Sequence, residues 1–152
     1  RGSGIGLETT GQALESLPIG KGIIVRSISE QLAPQKKIAF ICFGPLLYNA
    51  LSVAEEINAT VVDMRFVKPL DEELLCDIAR THDALVFVED SAVKGGAGSA
   101  CLEVLADQNI QIESLQMGLP DEYVEHGDVN FLLDLYGLSS EKMKQRVAAR
   151  FL

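Results

Sequence analysis

The sequence predicts an α/β fold with three layers, built on a mainly parallel five-stranded sheet with one antiparallel edge strand and a helical C-terminal tail. Two observations support this prediction. Apolar runs such as KIAFICF (37–43) and ALVFV (84–88) contain β-branched and aromatic residues, which is typical of strands covered on both faces. Stretches with apolar residues at helical spacing separate these runs, and such alternation builds a parallel sheet because crossovers are right-handed.

The first half of the chain contains three predicted strands and one helix. GIIVRSI (22–28) is separated from the next strand only by the short turn QLAPQ, so we expect it to pair antiparallel with that neighbour at an edge. KIAFICF follows, and Gly44 and Pro45 then introduce a helix that ends at Asn58. TVVDMRF (60–66) alternates apolar and charged residues as a strand does.

The second half begins with a helix whose first turn is well specified. Asp71 is placed to cap the free N–H groups, while Glu72 and Glu73 complement the helix dipole, and the helix is expected to end near His82. The remaining elements are the strand 84–88, a helix over 97–108, the strand 110–117, the loop GLPDEYVEHGD (118–128), and two short helices, one ending at Gly137 and one beginning at Ser140.

Length, composition and charge exclude several classes of protein. The chain has 152 residues, which suits one domain, and its net charge of −9 without a cluster of Lys or Arg argues against a nucleic-acid surface. No apolar run reaches the length of about 18 to 20 residues that a membrane span needs, and no signal sequence opens the chain. These observations predict a soluble, intracellular protein with neither nucleic acid nor membrane as a partner.

The cysteines and histidines are isolated from one another. Cys42 falls in a strand, whereas Cys76 and Cys101 fall in separate helices, so we expect buried, reduced thiols and no metal site. His82 lies where a helix ends, a favourable place for a partial positive charge, and a structural role is favoured there over a catalytic one. His126 lies in the loop and is not assigned a role.

Polar residues follow the predicted parallel strands, where ligands gather in open sheets. The two neighbouring carboxylates at 89 and 90 could form an acid/base pair, but no nucleophile accompanies them, so surface, helix-cap or interface roles are favoured. The candidates at this edge are Asp63, Arg65, Glu89, Asp90 and Ser91.

A glycine-rich turn, KGGAGS, connects the strand at 84–88 to the helix at 97–108. Its backbone N–H groups could cradle a phosphate at the start of the helix. Gly95, Gly96 and Gly98 match neither G-x-G-x-x-G nor a P-loop, so the alternative is that glycine permits a sharp turn and close packing on the sheet. The residues alone leave both interpretations open.

Three long strings carry a family resemblance: NATVVDMRFVKPLDEELL, EDSAVKGGAGSACLEVL and GLPDEYVEHGD. They resemble the C-terminal domain of the 1-deoxy-D-xylulose-5-phosphate synthase family, whose wider relatives are transketolase and the β subunits of 2-oxoacid dehydrogenases. LPIGKG (17–22) and GLSSEKMKQRVAARFL (137–152) are similar to the same family. The resemblance therefore implies a linker from a middle domain over 1–20 and a transketolase-type C-terminal domain over 21–152.

The resemblance also implies a function for the larger enzyme. The family condenses pyruvate with D-glyceraldehyde 3-phosphate, with loss of CO₂, and supplies isoprenoid, thiamine and pyridoxal biosynthesis. Its thiamine diphosphate and Mg²⁺ are bound by domains that precede this one, so we expect no catalytic, cofactor-binding or metal-binding residue here and a structural or interface role. The implied partners are the rest of the polypeptide and a second subunit of a homodimer, in the bacterial cytoplasm or in a plastid.

One substrate-binding residue is implied at the start of the chain. In the family a Tyr-Pro-Arg-Gly stretch leads out of the middle domain, and its arginine binds the phosphate of glyceraldehyde 3-phosphate. Arg1 and Gly2 align with its second half, although RGSG could instead be the remnant of an expression tag. The resemblance also favours packing or an interface for the glycine turn. The alternatives are another thiamine-diphosphate enzyme, a free-standing anion-binding module or a non-catalytic interaction domain.

Overall fold

The structure, a computed structural model, describes residues 16–29, 31 and 34–152. Most of the predicted linker, including Arg1, lies outside these residues. The elements in chain order are β1 (Ile23–Arg26), β2 (Ile38–Phe43), α1 (Leu47–Ile57), β3 (Thr60–Asp63), α2 (Glu72–Thr81), β4 (Ala84–Ala92), α3 (Ala97–Asp107), β5 (Glu113–Leu119), α4 (Val129–Leu135) and α5 (Ser140–Phe151).

The five strands form one sheet in the order β1-β3-β2-β4-β5. β2, β3, β4 and β5 run parallel, and β1 runs antiparallel at the edge, so the predicted fold class is confirmed. The expected partner of β1 is wrong, however: β1 pairs with β3 rather than with β2. Both edges of β2 are already occupied by parallel neighbours, so β1 reaches the free edge of β3.

The central strand divides its side chains between two hydrophobic cores. Ile38, Phe40 and Cys42 face the core beneath α1 and α5, whereas Ile41 and Phe43 face the core beneath α2 and α3. Every residue of β2 is buried. A strand with no polar face must be covered on both sides, so the two helical layers follow from this run of residues.

Three strand boundaries differ from the predictions by three residues or more, and β1 covers only Ile23–Arg26 of the predicted 22–28. β3 ends at Asp63 instead of Phe66, because Arg65 adopts φ 60° and turns the chain out of the sheet. β4 continues to Ala92, with an irregular register between Val88 and Ala92. β5 covers Glu113–Leu119 instead of 110–117, since the chain leaving α3 pairs with the sheet only from Glu113 onward.

The local signals for helix α2 and for the cysteines are confirmed. The Asp71 carboxylate accepts a hydrogen bond from Leu74 N at 3.3 Å, as a capping residue should. All three cysteines are free and buried, and burial raises the pKa of the Cys101 thiol to about 12, with a further contribution from the charge of Glu89. Within the described ranges no helix is both long and apolar enough to cross a membrane.

Candidate functional site

A cleft of about 460 Å³ lies at the carboxyl ends of the parallel strands. It is lined by Gly44 after β2, Arg65 after β3, Glu89–Ser91 of β4 and the turn at Gly95–Ala97. The chain leaves β2 towards one face of the sheet and β4 towards the other, and this divergence is where α/β sheets commonly bind ligands. Four of the five residues predicted for this edge line the cleft, and Asp63 lies beside it.

Glu89 occupies the anion position at the start of helix α3. Its side chain is only 2% exposed, and its Oε2 accepts a hydrogen bond from Ala97 N at 2.8 Å while its Oε1 accepts one from Gly98 N at 3.0 Å. The Ser91 hydroxyl donates a further hydrogen bond to Oε2. The first N–H groups of a helix attract negative charge, so the turn does cradle an anion, and that anion is a carboxylate of the chain itself.

The glycines of the turn are required for two different reasons. A Cβ at Gly96 would lie 2.3 Å from both Ala92 O and Glu89 Oε2, although the φ of Gly96 is an ordinary −82°. Gly95 has φ 71° and open space around it, so its requirement is conformational. The geometry thus supports the packing interpretation and adds that the packing is against Glu89.

Sequence reasoning missed Gly118 of β5. A Cβ at this position would lie 2.8 Å from Ser91 O and 3.1 Å from Glu89 Cγ, so Gly118 makes room for the end of β4 and its buried carboxylate. The sequence predicts a loop at this position. A glycine that continues a strand pattern often marks a close approach of another backbone, and that signal was present in QMGL.

The rim of the cleft carries charges of both signs. Arg65 N donates to Asp63 Oδ1 at 3.0 Å, and its Nε lies 3.8 Å from Asp63 Oδ2. Asp90 is exposed, whereas both oxygens of Glu89 are occupied by hydrogen bonds, so the geometry does not present these two carboxylates as an acid/base pair. The described residues contain no group of His, Cys, Asp or Glu placed to hold a metal ion.

His82 lies at the amino ends of the parallel strands, on the opposite side of the sheet from the cleft. Its Nδ1 is 2.9 Å from Ile78 O and its Nε2 is 2.8 Å from Thr60 Oγ1, so the ring ties the end of α2 to the start of β3. Burial lowers the pKa of His82 and outweighs the opposing hydrogen bond to Ile78 O. The expected positive charge is therefore disfavoured, while the structural role agrees with the contacts. His126 is exposed in the loop.

Known proteins match almost the whole chain. The family model described as the transketolase C-terminal domain matches residues 29–143. The 1-deoxy-D-xylulose-5-phosphate synthase of Bordetella parapertussis is 46% identical over 99% of this chain and 23% of its own length. That of Neisseria gonorrhoeae is 49% identical over 97% of this chain and 22% of its own length. The chain therefore spans less than a quarter of these curated relatives.

Solved structures agree with the family model. A split-gene transketolase, described as an inactive β4 tetramer, has a TM-score of 0.73 and 32% identity over 88% of this chain and 42% of its own length. Transketolase from Campylobacter jejuni has a TM-score of 0.60 at 14% identity over 86% of this chain and 18% of its own length, a likeness of fold alone. With a family model that covers most of its length, the chain belongs to the transketolase C-terminal domain family.

Proposed function

We propose that this chain is the C-terminal domain of a 1-deoxy-D-xylulose-5-phosphate synthase, which condenses pyruvate with D-glyceraldehyde 3-phosphate, releases CO₂ and yields 1-deoxy-D-xylulose 5-phosphate. The observation that carries the proposal is 44–49% identity to enzymes of that name over 97–100% of the chain. The proposal includes a homodimer in the cytoplasm and a supply of precursors for isoprenoids, thiamine and pyridoxal. It also includes thiamine diphosphate and Mg²⁺, which provide the carbanion chemistry when bound.

The carboxyl-edge cleft does not fit the diphosphate of that cofactor. Glu89 already fills the N-terminus of α3, and Asp63 and Asp90 add negative charge around Arg65. A diphosphate would meet like charge where it needs N–H donors, which is unfavourable at short range. We infer that other domains hold the cofactor and that this domain has a structural and interface role.

Calorimetry and an activity assay test the two parts of this proposal separately. The 152-residue chain should unfold cooperatively on heating and give no binding heat with thiamine diphosphate and Mg²⁺. Binding of the cofactor with micromolar affinity would refute the inferred role of the domain. The longer product of the gene should form 1-deoxy-D-xylulose 5-phosphate from pyruvate and glyceraldehyde 3-phosphate, and its failure to do so would refute the proposed activity.

The role of Arg1 stays a proposal, because this residue lies outside the described ones. If its guanidinium clamps the phosphate of glyceraldehyde 3-phosphate in the longer enzyme, Arg1→Ala removes a charge-assisted pair of about 1.5 to 3 kcal/mol. We expect kcat/KM for glyceraldehyde 3-phosphate to fall about ten- to a hundredfold, with a much smaller change in the KM for pyruvate. Equal damage to both substrates would contradict this role, and the gene sequence upstream of Arg1 will show whether RGSG is native.

Transketolase activity is a second candidate, because the split-gene transketolase shares 32% identity and a TM-score of 0.73 with this chain. The identity to the synthases is higher, so we place the synthase first. Assaying the longer protein for transfer of a two-carbon ketol unit between sugar phosphates discriminates the two. The synthase proposal predicts little transfer and efficient decarboxylation of pyruvate.

A further inference from the structure

Helix α4 is apolar on opposite faces. Five of its seven residues, VNFLLDL, are apolar, and none of them is fully buried. Leu133 and the adjoining Tyr136 pack against the core beneath α1 and α5. Phe131 and Leu135, spaced as neighbours on one helix face, lie about 200° around the axis from Leu133 and are 63% and 60% exposed. A surface helix usually has one apolar face turned to the core, so a second exposed apolar face is typical of a contact with another surface.

The segment before α4 also carries exposed apolar residues. Tyr123 is 93% exposed and Val129 is 55% exposed, and within the described chain residues 120–127 form no backbone hydrogen bond with the rest of the domain. We call the surface formed by Phe131 and Leu135 the α4 face. Single exposed apolar residues are ordinary, but several large ones within thirteen positions, on a segment that makes few contacts, are typical of an interaction site.

A groove of about 460 Å³ adjoins this surface. Its charged lining residues are Glu122 and Arg146, and its apolar lining comes from Val93, Leu119, Pro120, Leu135 and Tyr136. Leu135 belongs to both the groove and the α4 face. A partner that covers the face can therefore insert a side chain beside Leu135, in the way that interface anchors fill pockets.

The charge around the α4 face indicates which kind of partner fits it. Asp121, Glu122, Glu125 and Asp128 are all exposed, and the sequence has no Lys or Arg between Leu119 and Glu141. Two copies of this face brought together about a twofold axis would place these acidic residues against each other, which costs several kcal/mol in a partly desolvated contact. The fitting partner is a different surface, apolar at its centre and rich in Lys and Arg at its rim.

We propose that the α4 face is the docking surface for a preceding domain of the same polypeptide. This inference rests on the proposed function, under which a longer chain precedes this domain. The curated relatives support it because this chain covers only 22–24% of their length, so a far larger part of each relative is available to cover the face. Contacts between domains of one chain commonly bury about 600 to 1,500 Å² and are more polar than a core, which suits an apolar centre with an acidic rim.

Cysteine footprinting tests the proposal. Phe131→Cys and Leu135→Cys place thiols on the α4 face, and Ala149→Cys places a control thiol on an exposed position of α5. Alkylation by iodoacetamide is followed by mass spectrometry of each peptide, so the native buried cysteines do not interfere. In the longer protein we expect the rate at 131 and 135 to be about tenfold or more below the rate in the 152-residue chain, with little change at 149.

Charge reversal at the rim provides a second measurement. Glu122→Lys with Glu125→Lys in the longer protein should weaken the contact and raise the alkylation rate of Leu135→Cys, whereas Glu103→Lys with Asp107→Lys, on the exposed side of α3, should not. Equal rates at 135 in the longer protein and the isolated chain would overturn the proposal. Protection in the isolated chain that grows with its concentration would also overturn it, because a second copy would then be the partner.

Failure of this inference is distinguishable from failure of the proposed function. A longer protein that forms 1-deoxy-D-xylulose 5-phosphate but leaves Leu135→Cys reactive retains the function and refutes the docking surface. A longer protein that protects this thiol but lacks the activity retains the surface and refutes the assigned reaction. Thermal unfolding of each cysteine variant confirms that it is folded before its rate is compared.

Discussion

Removing the buried carboxylate of Glu89 should lower the free energy of unfolding by an amount that follows from its hydrogen bonds. Glu89→Gln keeps the shape of the side chain but replaces one acceptor oxygen with an NH₂ group. Because Ala97 N and Gly98 N both donate to this side chain, one of them would then face another donor. The loss of a charge-assisted hydrogen bond is about 1.5 to 3 kcal/mol, and the lost helix-dipole interaction adds about 0.3 to 1 kcal/mol.

These contributions predict a decrease of about 2 to 4 kcal/mol in the free energy of unfolding for Glu89→Gln. For a domain of this size that corresponds to a Tm lower by about 4 to 16 °C. Urea unfolding of the 152-residue chain measures the change directly. Asp90→Asn is the matched control: it removes the neighbouring, exposed carboxylate and should change stability by less than about 0.5 kcal/mol.

An added anion that replaces the missing carboxylate provides a second test of the role of Glu89. Glu89→Ala leaves two buried N–H groups at the start of α3 without their acceptor, so acetate or phosphate should stabilise this variant saturably, following RT ln(1 + [L]/Kd). The wild-type domain should show only the general salt effect that chloride shows at matched ionic strength. Saturable phosphate stabilisation of the wild type, or a Glu89→Gln variant as stable as the wild type, would refute the reasoning.

Two glycine substitutions separate the effect of contact from that of conformation, and a third substitution tests the histidine. Gly96→Val should lower the free energy of unfolding by more than about 2 kcal/mol, because its Cβ would overlap Ala92 O and Glu89 Oε2. Gly95→Ala should lower it by only about 1 kcal/mol, from its positive φ alone. Equal losses in urea unfolding would contradict this assignment. Because the folded-state pKa of His82 is lowered, its stabilising contribution is complete above the unfolded value of 6.5 and decreases as pH falls through it. His82→Gln should therefore reduce the loss of stability between about pH 7.5 and 5.5, and an unchanged pH profile would contradict it.

The main elements of this fold are encoded locally in the sequence. The buried run of β2 requires cover on both faces, and Asp71 with Glu72 and Glu73 specifies the start of α2. The pairing partner of β1, in contrast, is not encoded by the residues of β1 itself. The residues of a strand determine which of its faces is buried, but its pairing partner depends on which strand edges remain free. Both edges of β2 are paired with β3 and β4, so β1 cannot pair with β2.

The position of Glu89 was accessible to sequence reasoning through the period of two in β4. Leu85 and Phe87 face the core beneath α2 and α3, so Glu89 continues that face while Asp90 falls on the other side. A carboxylate that continues the buried face of a strand, eight residues before a helix rich in glycine at its start, predicts an internal helix cap. The exposed apolar residues of α4 carried no comparable signal, because helical spacing does not distinguish a face that packs internally from one that packs on a partner.

The internal carboxylate at the carboxyl ends of the strands disfavours phosphate binding there. In open α/β sheets the first turn after a strand commonly receives a phosphate through the N–H groups of the next helix, but here Glu89 uses the N–H groups of Ala97 and Gly98. An external phosphate would have to expel a buried carboxylate that is held by three donors and then replace all of its hydrogen bonds. Of the other charged groups of the cleft, Arg65 is half-buried beside Asp63 and Asp90 is exposed, so the cleft carries both signs of charge. The turn that most resembles a ligand site therefore holds an internal carboxylate, which ties the end of β4 to the start of α3.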